Sequence, residues 1–191
     1  MLAAALALPG AVQAQSADES AAVGAATAMA TDAYDALTGG GGDAERIATL
    51  STVVEQHFAF DVWERFLLGD AAEQMSADEI AAFRELLPGF LARLYANNFG
   101  QGLSQPPEIG EARTVRRDVL VAAAIPRERG APLPVEYRMR AFDGAPQVVD
   151  VMVAGASFLL LKRDEFNALL DRGGADELLG YMRDFVATPG A

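Results

Sequence analysis

The stretch that decides the fold is residues 133–153, which read LPVEYRMRAFDGAPQVVDVMV. Apolar and polar side chains alternate through residues 133–142, and the apolar ones share one face: Leu133, Val135, Tyr137 and Met139. Asp143-Gly144 favours a tight hairpin turn, and residues 147–153 form the predicted partner strand. This period of two indicates an antiparallel sheet with one apolar face and one solvated face.

Two more strands are predicted on the N-terminal side of this hairpin. Residues 118–126 alternate in the same way, with one apolar face formed by Val119, Val121, Ala123 and Ile125. A weaker strand covers residues 109–117. The sequence therefore predicts a sheet of about four strands.

The first half of the chain has a helical period instead. In the first predicted helix, apolar residues recur at spacings of three and four: Val23, Ala26, Ala30, Tyr34 and Leu37. Asp43 is predicted to cap the second helix, one face of which is lined by Ile47, Leu50, Val54 and His57, with Phe58 at its end. A short third helix is predicted at residues 60–68, ending before Gly69.

The longest predicted helix begins at a capping box formed by Ser76 and Glu79. Its broad apolar face is made of Ile80, Phe83, Leu86, Leu87, Phe90, Leu91, Leu94 and Tyr95. Pro88 is expected to kink it. Two helices, at residues 158–172 and 176–186, are predicted to close the chain. Helices, then strands, then helices predict an α+β domain.

Composition excludes several classes of function. The chain has 191 residues, no Cys and one His, which excludes disulfides, thiolate metal sites and Cys nucleophiles. A net charge of −12 argues against nucleic acid as a partner, because binding phosphates requires an excess of basic residues. No apolar run is long enough to cross a bilayer. We expect no catalytic residue, no metal and no cofactor, and we interpret His57 as structural.

The N-terminus is typical of a processing segment. Residues 1–12 are mostly Leu and Ala, and Val12-Gln13-Ala14 places small or apolar side chains where a signal peptidase cleaves. We therefore expect residues 1–14 to be a signal peptide, truncated at its start, and residues 15–191 to be a single periplasmic domain. The alternative is an Ala-rich tail.

Several blocks of the sequence together resemble one known family. Residues 60–69, FDVWERFLLG, look like its F-D-F…R…L-G block, and residues 134–139, PVEYRM, resemble its P-V-D-Y-R-L strand. Residues 149–151, 155–157 and 162–166 are similar to its Y-D-V, G-V-S and Y-R-S-Q-F motifs. In this order and spacing the blocks resemble the MlaC family of periplasmic phospholipid carriers, also called the toluene-tolerance auxiliary component.

The resemblance implies a soluble carrier rather than an enzyme. It implies helices packed on a twisted antiparallel sheet, enclosing an apolar cavity for phospholipid acyl chains. The implied partners are phospholipid, an inner-membrane ABC transporter complex with its membrane-anchored substrate-binding subunit, and an outer-membrane lipoprotein complex. Two alternatives stay open: a carrier or accessory protein for another lipid such as a hopanoid, and a small α+β hydrolase or isomerase.

The resemblance and the apolar faces together assign candidate site residues. The candidate lipid-binding set is Phe66, Leu87, Phe90, Leu91, Leu94, Val135, Tyr137, Met139, Val149, Val151, Val153 and Phe158. Taken singly, each is also explained by a close-packed core. The candidate headgroup or docking rim is Arg138, Arg140, Lys162 and Arg163, for which a solvated face is the alternative. Arg163 has two open roles, a contact with lipid phosphate or an ion pair with a carboxylate such as Asp150.

Overall fold

The structure is a computed structural model that describes residues 16–100, 103, 105–127 and 129–189. The elements in chain order are α1 (Ala17–Thr38), α2 (Asp43–His57), α3 (Phe60–Leu68), a 3₁₀ helix (Gly69–Gln74), α4 (Ala77–Phe99), β1 (Glu108–Val115), β2 (Asp118–Ile125), β3 (Leu133–Phe142), β4 (Ala145–Val153), β5 (Ala156–Ser157) and α5 (Phe158–Ala187). The α+β class is confirmed.

The predicted signal peptide, residues 1–14, lies outside the described residues. Within the described residues, none of the helices is long and apolar enough to span a bilayer.

The five strands form one antiparallel sheet in sequence order. β3 lies at its centre, where Tyr137 pairs with Val121 of β2 and with Val151 of β4. The sequence predicts about four strands, and the structure adds the two-residue β5, which pairs with the end of β4. A strand this short has no alternation from which it can be predicted.

A β-bulge in β4 changes which valines face the core. Arg138 pairs with Asp150 but the next residue, Met139, pairs with Val148, so Val149 is the extra residue. The predicted alternation of Val149 with the valines that follow it is therefore broken. Val148, which is completely buried, lies opposite Met139 instead.

The helices cover the apolar face of the sheet. α1 packs against β1 and β2, α2 packs against α4, and α5 packs against α3 and α4. The predicted bounds of α3 are confirmed at both ends. So is the capping box of α4, in which the Ser76 hydroxyl accepts from the Glu79 amide at 3.2 Å and the Glu79 carboxylate accepts from the Ser76 amide at 2.6 Å. α4 continues through Pro88 as a single helix.

The last helix is interrupted where the sequence predicts a break. α5 loses helical backbone angles at Gly173 (φ −152°, ψ 16°) and Gly174 (φ 67°, ψ −157°). The positive φ of Gly174 lies in the left-handed region, which glycine adopts without steric cost. The two predicted helices, at residues 158–172 and 176–186, are therefore the two arms of α5.

Of the predictions about the first two helices, the cap of α2 is wrong and the buried stripe of α1 is confirmed in part. Asp43 does not cap α2; the N-cap is Gly42, and Asp43 instead accepts hydrogen bonds of 2.9 and 2.7 Å from the buried guanidinium of Arg93. The Asp43 carboxylate is therefore bonded to Arg93 of α4 and does not accept a hydrogen bond from the first backbone amides of α2. The buried stripe of α1 is also made mainly of alanines: Ala22, Ala26, Met29, Ala30, Ala33 and Ala36. Of the predicted stripe, Ala26 and Ala30 are buried, Val23 and Leu37 are partly buried and pack against the core, and Tyr34 is partly buried.

Candidate functional site: an apolar cavity

A cavity lies between the apolar face of the sheet and the helices. Its volume is about 60 Å³, which gives room for only a few water-sized molecules. The walls come from α1 to α5 and from β2 to β4: Met29, Ala30, Ala33, Leu50, Val53, Val54, Phe58, Trp63, Leu91, Leu94, Tyr95, Asn98, Phe99, Ile125, Val135, Tyr137, Val151, Val153 and Phe158. Fourteen of these nineteen side chains are pure hydrocarbon, so the cavity suits an apolar ligand.

Part of the wall is completely shut off from solvent. Leu50 of α2 and Trp63 of α3 are buried, and the Trp63 indole N–H donates a hydrogen bond of 2.9 Å to the Val148 carbonyl. The Phe58 ring packs on the Trp63 ring with the centroids 5.2 Å apart. This inner wall is held by packing and by a satisfied polar group, as buried tryptophans require.

Another part of the wall reaches the surface. Asn98 is exposed, and Phe99, Val153 and Phe158 are only partly buried. These four residues lie at the end of α4, the end of β4 and the start of α5, and we call them the cavity mouth. An elongated ligand can enter here and leave a polar end in water.

The first turns of α5 extend from this mouth. Leu160 and Leu161 are 48% and 57% exposed, which is unusual for leucines. The Lys162 ammonium lies 5.8 Å from the centroid of the Phe158 ring and donates a hydrogen bond to Glu165. Of the four predicted rim cations, Lys162 is the one that contacts a cavity-lining side chain in the described structure.

Two tyrosines are the main polar groups inside the cavity. Burial raises the pKa of Tyr95 to about 12, and a smaller opposing effect comes from Tyr137. Burial also raises the pKa of Tyr137 well above its ordinary value, with a further contribution from Tyr95. The two phenols therefore lie close enough to influence each other. By distance and angle, the buried Tyr137 hydroxyl has no hydrogen-bond partner within the described part of the chain.

The structure brings many of the predicted lipid-binding residues together around this cavity. Those that line it are Leu91, Leu94, Val135, Tyr137, Val151, Val153 and Phe158. They come from α4, the central strands and the start of α5, as the sequence analysis expects. Their role in binding lipid stays a prediction.

The other predicted lipid-binding residues lie away from the cavity lining: Phe66, Leu87, Phe90, Met139 and Val149. Phe90 packs in an aromatic cluster with Phe166, Tyr181 and Phe185, at centroid distances of 4.9–5.9 Å. Val149 is displaced from the alternation by the β-bulge. Leu87, Phe90 and Met139 belong to the core cluster and Phe66 packs against it, as the close-packed alternative describes.

The predicted rim cations are spread over several parts of the surface. Arg138 and Arg140 alternate with the cavity-facing Tyr137 and so lie on the other face of β3, where each donates a hydrogen bond of 2.6 Å to buried Asp118. The Arg163 guanidinium packs over the Phe66 ring, 5.0 Å from its centroid. No common rim forms, because strand alternation places Arg138 and Arg140 on the face away from the cavity, and Arg163 of α5 packs on Phe66 outside the cavity lining.

The suggested ion pair between Arg163 and Asp150 does not form. The buried Asp150 carboxylate instead accepts hydrogen bonds from the Ser157 hydroxyl (2.7 Å), the Leu159 amide (3.1 Å) and its neighbour Val151 (2.8 Å). The carboxylate thus anchors the first turn of α5, where free amides and the helix dipole favour negative charge. The Ser157 hydroxyl and the Leu159 amide thus occupy the position at the Asp150 carboxylate that the ion pair with Arg163 would require.

Sequence reasoning missed the walls from the first two helices and the end of α4, including Met29, Ala33, Val53 and Phe99. Their helical spacing is visible, but a spacing of three and four marks a buried face without distinguishing a cavity from a core. His57 lies outside the lining and has its Nε2 3.3 Å from the Asp32 carboxylate.

Comparison with known proteins gives a family and a fold. The family model described as "MlaC protein" matches residues 27–184. No curated protein matches the chain. A solved phospholipid-binding protein from Ralstonia solanacearum, in complex with a phospholipid, superposes with a TM-score of 0.72 at 17% sequence identity. The match covers 87% of this chain and 97% of that protein, so the two share one fold.

Proposed function

The chain belongs to the MlaC family, and from that premise we propose that it is a carrier that holds the acyl chains of a phospholipid in its apolar cavity. The observation that carries the proposal is the cavity itself, with hydrocarbon walls and a mouth between α4, β4 and α5. The similar fold of a phospholipid-binding protein supports it. We propose a binding and transport protein rather than an enzyme.

The energetics of a lipid in water explain why such a cavity is needed. Each methylene moved out of water contributes about 0.8 kcal/mol, so a lipid with about thirty of them gains about 24 kcal/mol from burial. A shallow groove leaves much of the acyl-chain surface in contact with water. An enclosed, dry cavity keeps the acyl chains out of water, while the polar headgroup stays in solvent at the mouth and avoids the cost of burial.

Loading requires the walls to separate. The cavity volume of about 60 Å³ is far smaller than an acyl chain, so the lipid enters by displacing side chains and helices. The wall formed by α1 is suited to this movement, because Ala30 and Ala33 are short side chains that interlock little with their neighbours. We expect α1 to exchange its amide hydrogens faster in the lipid-free protein than in the loaded protein.

We further propose that the carrier works in the periplasm between two membrane complexes. The apolar segment at residues 1–12 and the family membership support export. The proposed donors and acceptors are the inner-membrane ABC transporter with its membrane-anchored subunit and the outer-membrane lipoprotein complex. Cell fractionation and the mass of the mature N-terminus test export: a protein starting near Gln15 in the periplasm supports it, and full-length protein in the cytoplasm contradicts it.

Native mass spectrometry of the protein purified without detergent tests the function. A bound diacyl phospholipid supports the proposal. A polycyclic triterpenoid would identify another lipid as the cargo, and a protein that stays empty and does not take phospholipid from vesicles would contradict lipid carriage altogether.

A further inference from the structure

The hydroxyl of Tyr137 is a buried polar group without a partner. The side chain is 2% exposed, and its oxygen finds no donor or acceptor within the described residues. Buried hydroxyls are normally hydrogen-bonded, because desolvation without a new bond is costly. An exception in a native fold calls for a physical reason.

Several other buried polar side chains of this fold make hydrogen bonds. The Trp63 indole donates to Val148, the Asp150 carboxylate accepts three hydrogen bonds, and the Arg93 guanidinium donates to Asp43 through two of its nitrogens. Tyr181, a partly buried tyrosine, donates to Glu165. Among the described side chains, two buried polar atoms have no partner: the Nε of Arg93, whose other two guanidinium nitrogens are bonded, and the Tyr137 hydroxyl, which is the polar group of its side chain.

The position of Tyr137 suggests what the hydroxyl is for. Tyr137 lines the cavity and pairs with Val151 of β4. Val153, at the mouth, pairs with Val135, which precedes Tyr137 by two residues on β3. Two strand residues span about 7 Å, so Tyr137 lies about 7 Å further along the wall than the mouth. In a phospholipid, the ester carbonyls occupy this depth, between the headgroup and the acyl chains.

We propose that the Tyr137 hydroxyl, assisted by the neighbouring Tyr95 phenol, donates a hydrogen bond to an ester carbonyl of the bound lipid, and that the cavity therefore selects ester-linked over ether-linked chains. An ester carbonyl is a strong neutral acceptor, and it fits a buried site better than a carboxylate, whose charge is costly to bury. The raised pKa of Tyr137 keeps its proton in place at neutral pH, so the phenol acts as a donor. This inference rests on the proposed lipid carriage.

The experiment compares two synthetic lipids with the same headgroup and chain length, one with acyl ester linkages and one with alkyl ether linkages. Each is offered in vesicles to the lipid-free protein, and binding is measured by native mass spectrometry. We expect the wild type to prefer the ester lipid by about fivefold to tenfold, the ratio that one net hydrogen bond gives, and Tyr137→Phe to bind both lipids equally. Tyr95→Phe is expected to weaken the preference in part.

Tyr181→Phe is the matched control, because it removes a tyrosine hydroxyl outside the cavity lining. It is expected to lower the melting temperature, since Glu165 loses a donor, and to keep the ester preference. Tyr137→Phe is expected to leave the melting temperature of the lipid-free protein unchanged or raised, since no bond is lost.

Each outcome separates this inference from the proposed function. Wild-type protein that binds ester and ether lipids equally overturns the hydrogen bond and leaves the carrier in place. A fall in the melting temperature of lipid-free Tyr137→Phe also overturns it, because the hydroxyl then has a partner in the protein. Failure of the wild type to bind either lipid overturns the proposed function itself.

Discussion

The indole N–H of Trp63 donates a hydrogen bond of 2.9 Å to the backbone carbonyl of Val148, and so ties α3 to the bulged part of β4. The same carbonyl accepts the Ala59 amide at 3.0 Å. Trp63 is fully buried and lines the cavity. One residue thus stabilises the fold and closes the inner end of the candidate binding site.

Replacing Trp63 with Phe separates these two roles. The variant loses the indole hydrogen bond and part of the packing volume, while Ala59 still satisfies the Val148 carbonyl. We expect the free energy of unfolding to fall by about 1–3 kcal/mol, measured by urea denaturation. Bound lipid should remain, because the larger space does not obstruct a chain. Loss of lipid from a folded Trp63→Phe variant would contradict this assignment of the inner wall.

A second prediction tests the cavity by filling it. Leu91→Trp and Val151→Trp each place an indole into the lining, from α4 and from β4. The larger side chain occupies space that an acyl chain needs, so bound lipid measured by native mass spectrometry should fall several-fold. Overpacking of the lipid-free protein costs about 1–3 kcal/mol, which should leave it folded.

The matched control for this experiment is Leu86→Trp. Leu86 is on α4, like Leu91, but it is partly buried away from the cavity lining. The control should keep its full complement of lipid. If Leu91→Trp and Val151→Trp also keep theirs, the acyl chains lie elsewhere in the protein.

A third prediction concerns how α5 is anchored. Asp150→Ala removes the acceptor for the Ser157 hydroxyl and the Leu159 amide, which lie at the N-cap and in the first turn of α5. We expect a loss of about 2–4 kcal/mol in the free energy of unfolding, because these donors are left unpaired. Arg163→Ala removes a contact with the Phe66 ring, worth about 0.5–1 kcal/mol at a partly exposed site.

The two variants are compared by urea denaturation of the lipid-free proteins. Equal and large losses for both would mean that Arg163 also holds the helix, contrary to the contacts described. A folded Arg163→Ala variant that keeps its lipid would further argue against a phosphate contact by this guanidinium.

Some parts of the structure follow from local sequence and others do not. The bounds of α3 and β3 are predictable because Gly69 ends the one and unbroken alternation defines the other. The contact between Asp43 and Arg93 joins residues fifty positions apart, so local capping rules cannot reveal it. A helical period likewise marks a buried face without showing whether that face meets a partner or an empty space.

The cavity lining likewise includes residues that local sequence predicts and residues that it does not. Val135, Tyr137 and Val151 are predictable as lining because they alternate on paired strands. Val149 is misplaced because a β-bulge inserts one residue without any proline or glycine to mark it. Bulges of this kind depend on pairing between strands, which a single strand's sequence does not encode.

The fourth prediction concerns acid pH and rests on Asp118, whose side chain is 1% exposed. Burial by itself raises the pKa of this carboxyl, but the hydrogen bonds and charges of Arg140 and Arg138 outweigh burial, so the pKa lies below its ordinary value. A folded-state pKa below the unfolded value means that the carboxylate stabilises the fold fully above the ordinary Asp pKa of about 3.9. The contribution is lost as the pH falls through the folded-state pKa.

We therefore expect Asp118→Asn to be less stable than the wild type at pH 7 by about 2–3 kcal/mol, somewhat less than for a fully buried pair, because both arginines reach solvent. The difference should shrink as the pH is lowered from about 5 to about 2, because the wild-type carboxyl then also becomes neutral. Urea denaturation across this range measures it. Asp164→Asn, at an exposed position on α5, is the control and should follow the wild type throughout. A difference that stays constant with pH would mean that the shape of Asp118, rather than its charge, stabilises the outer face of the sheet.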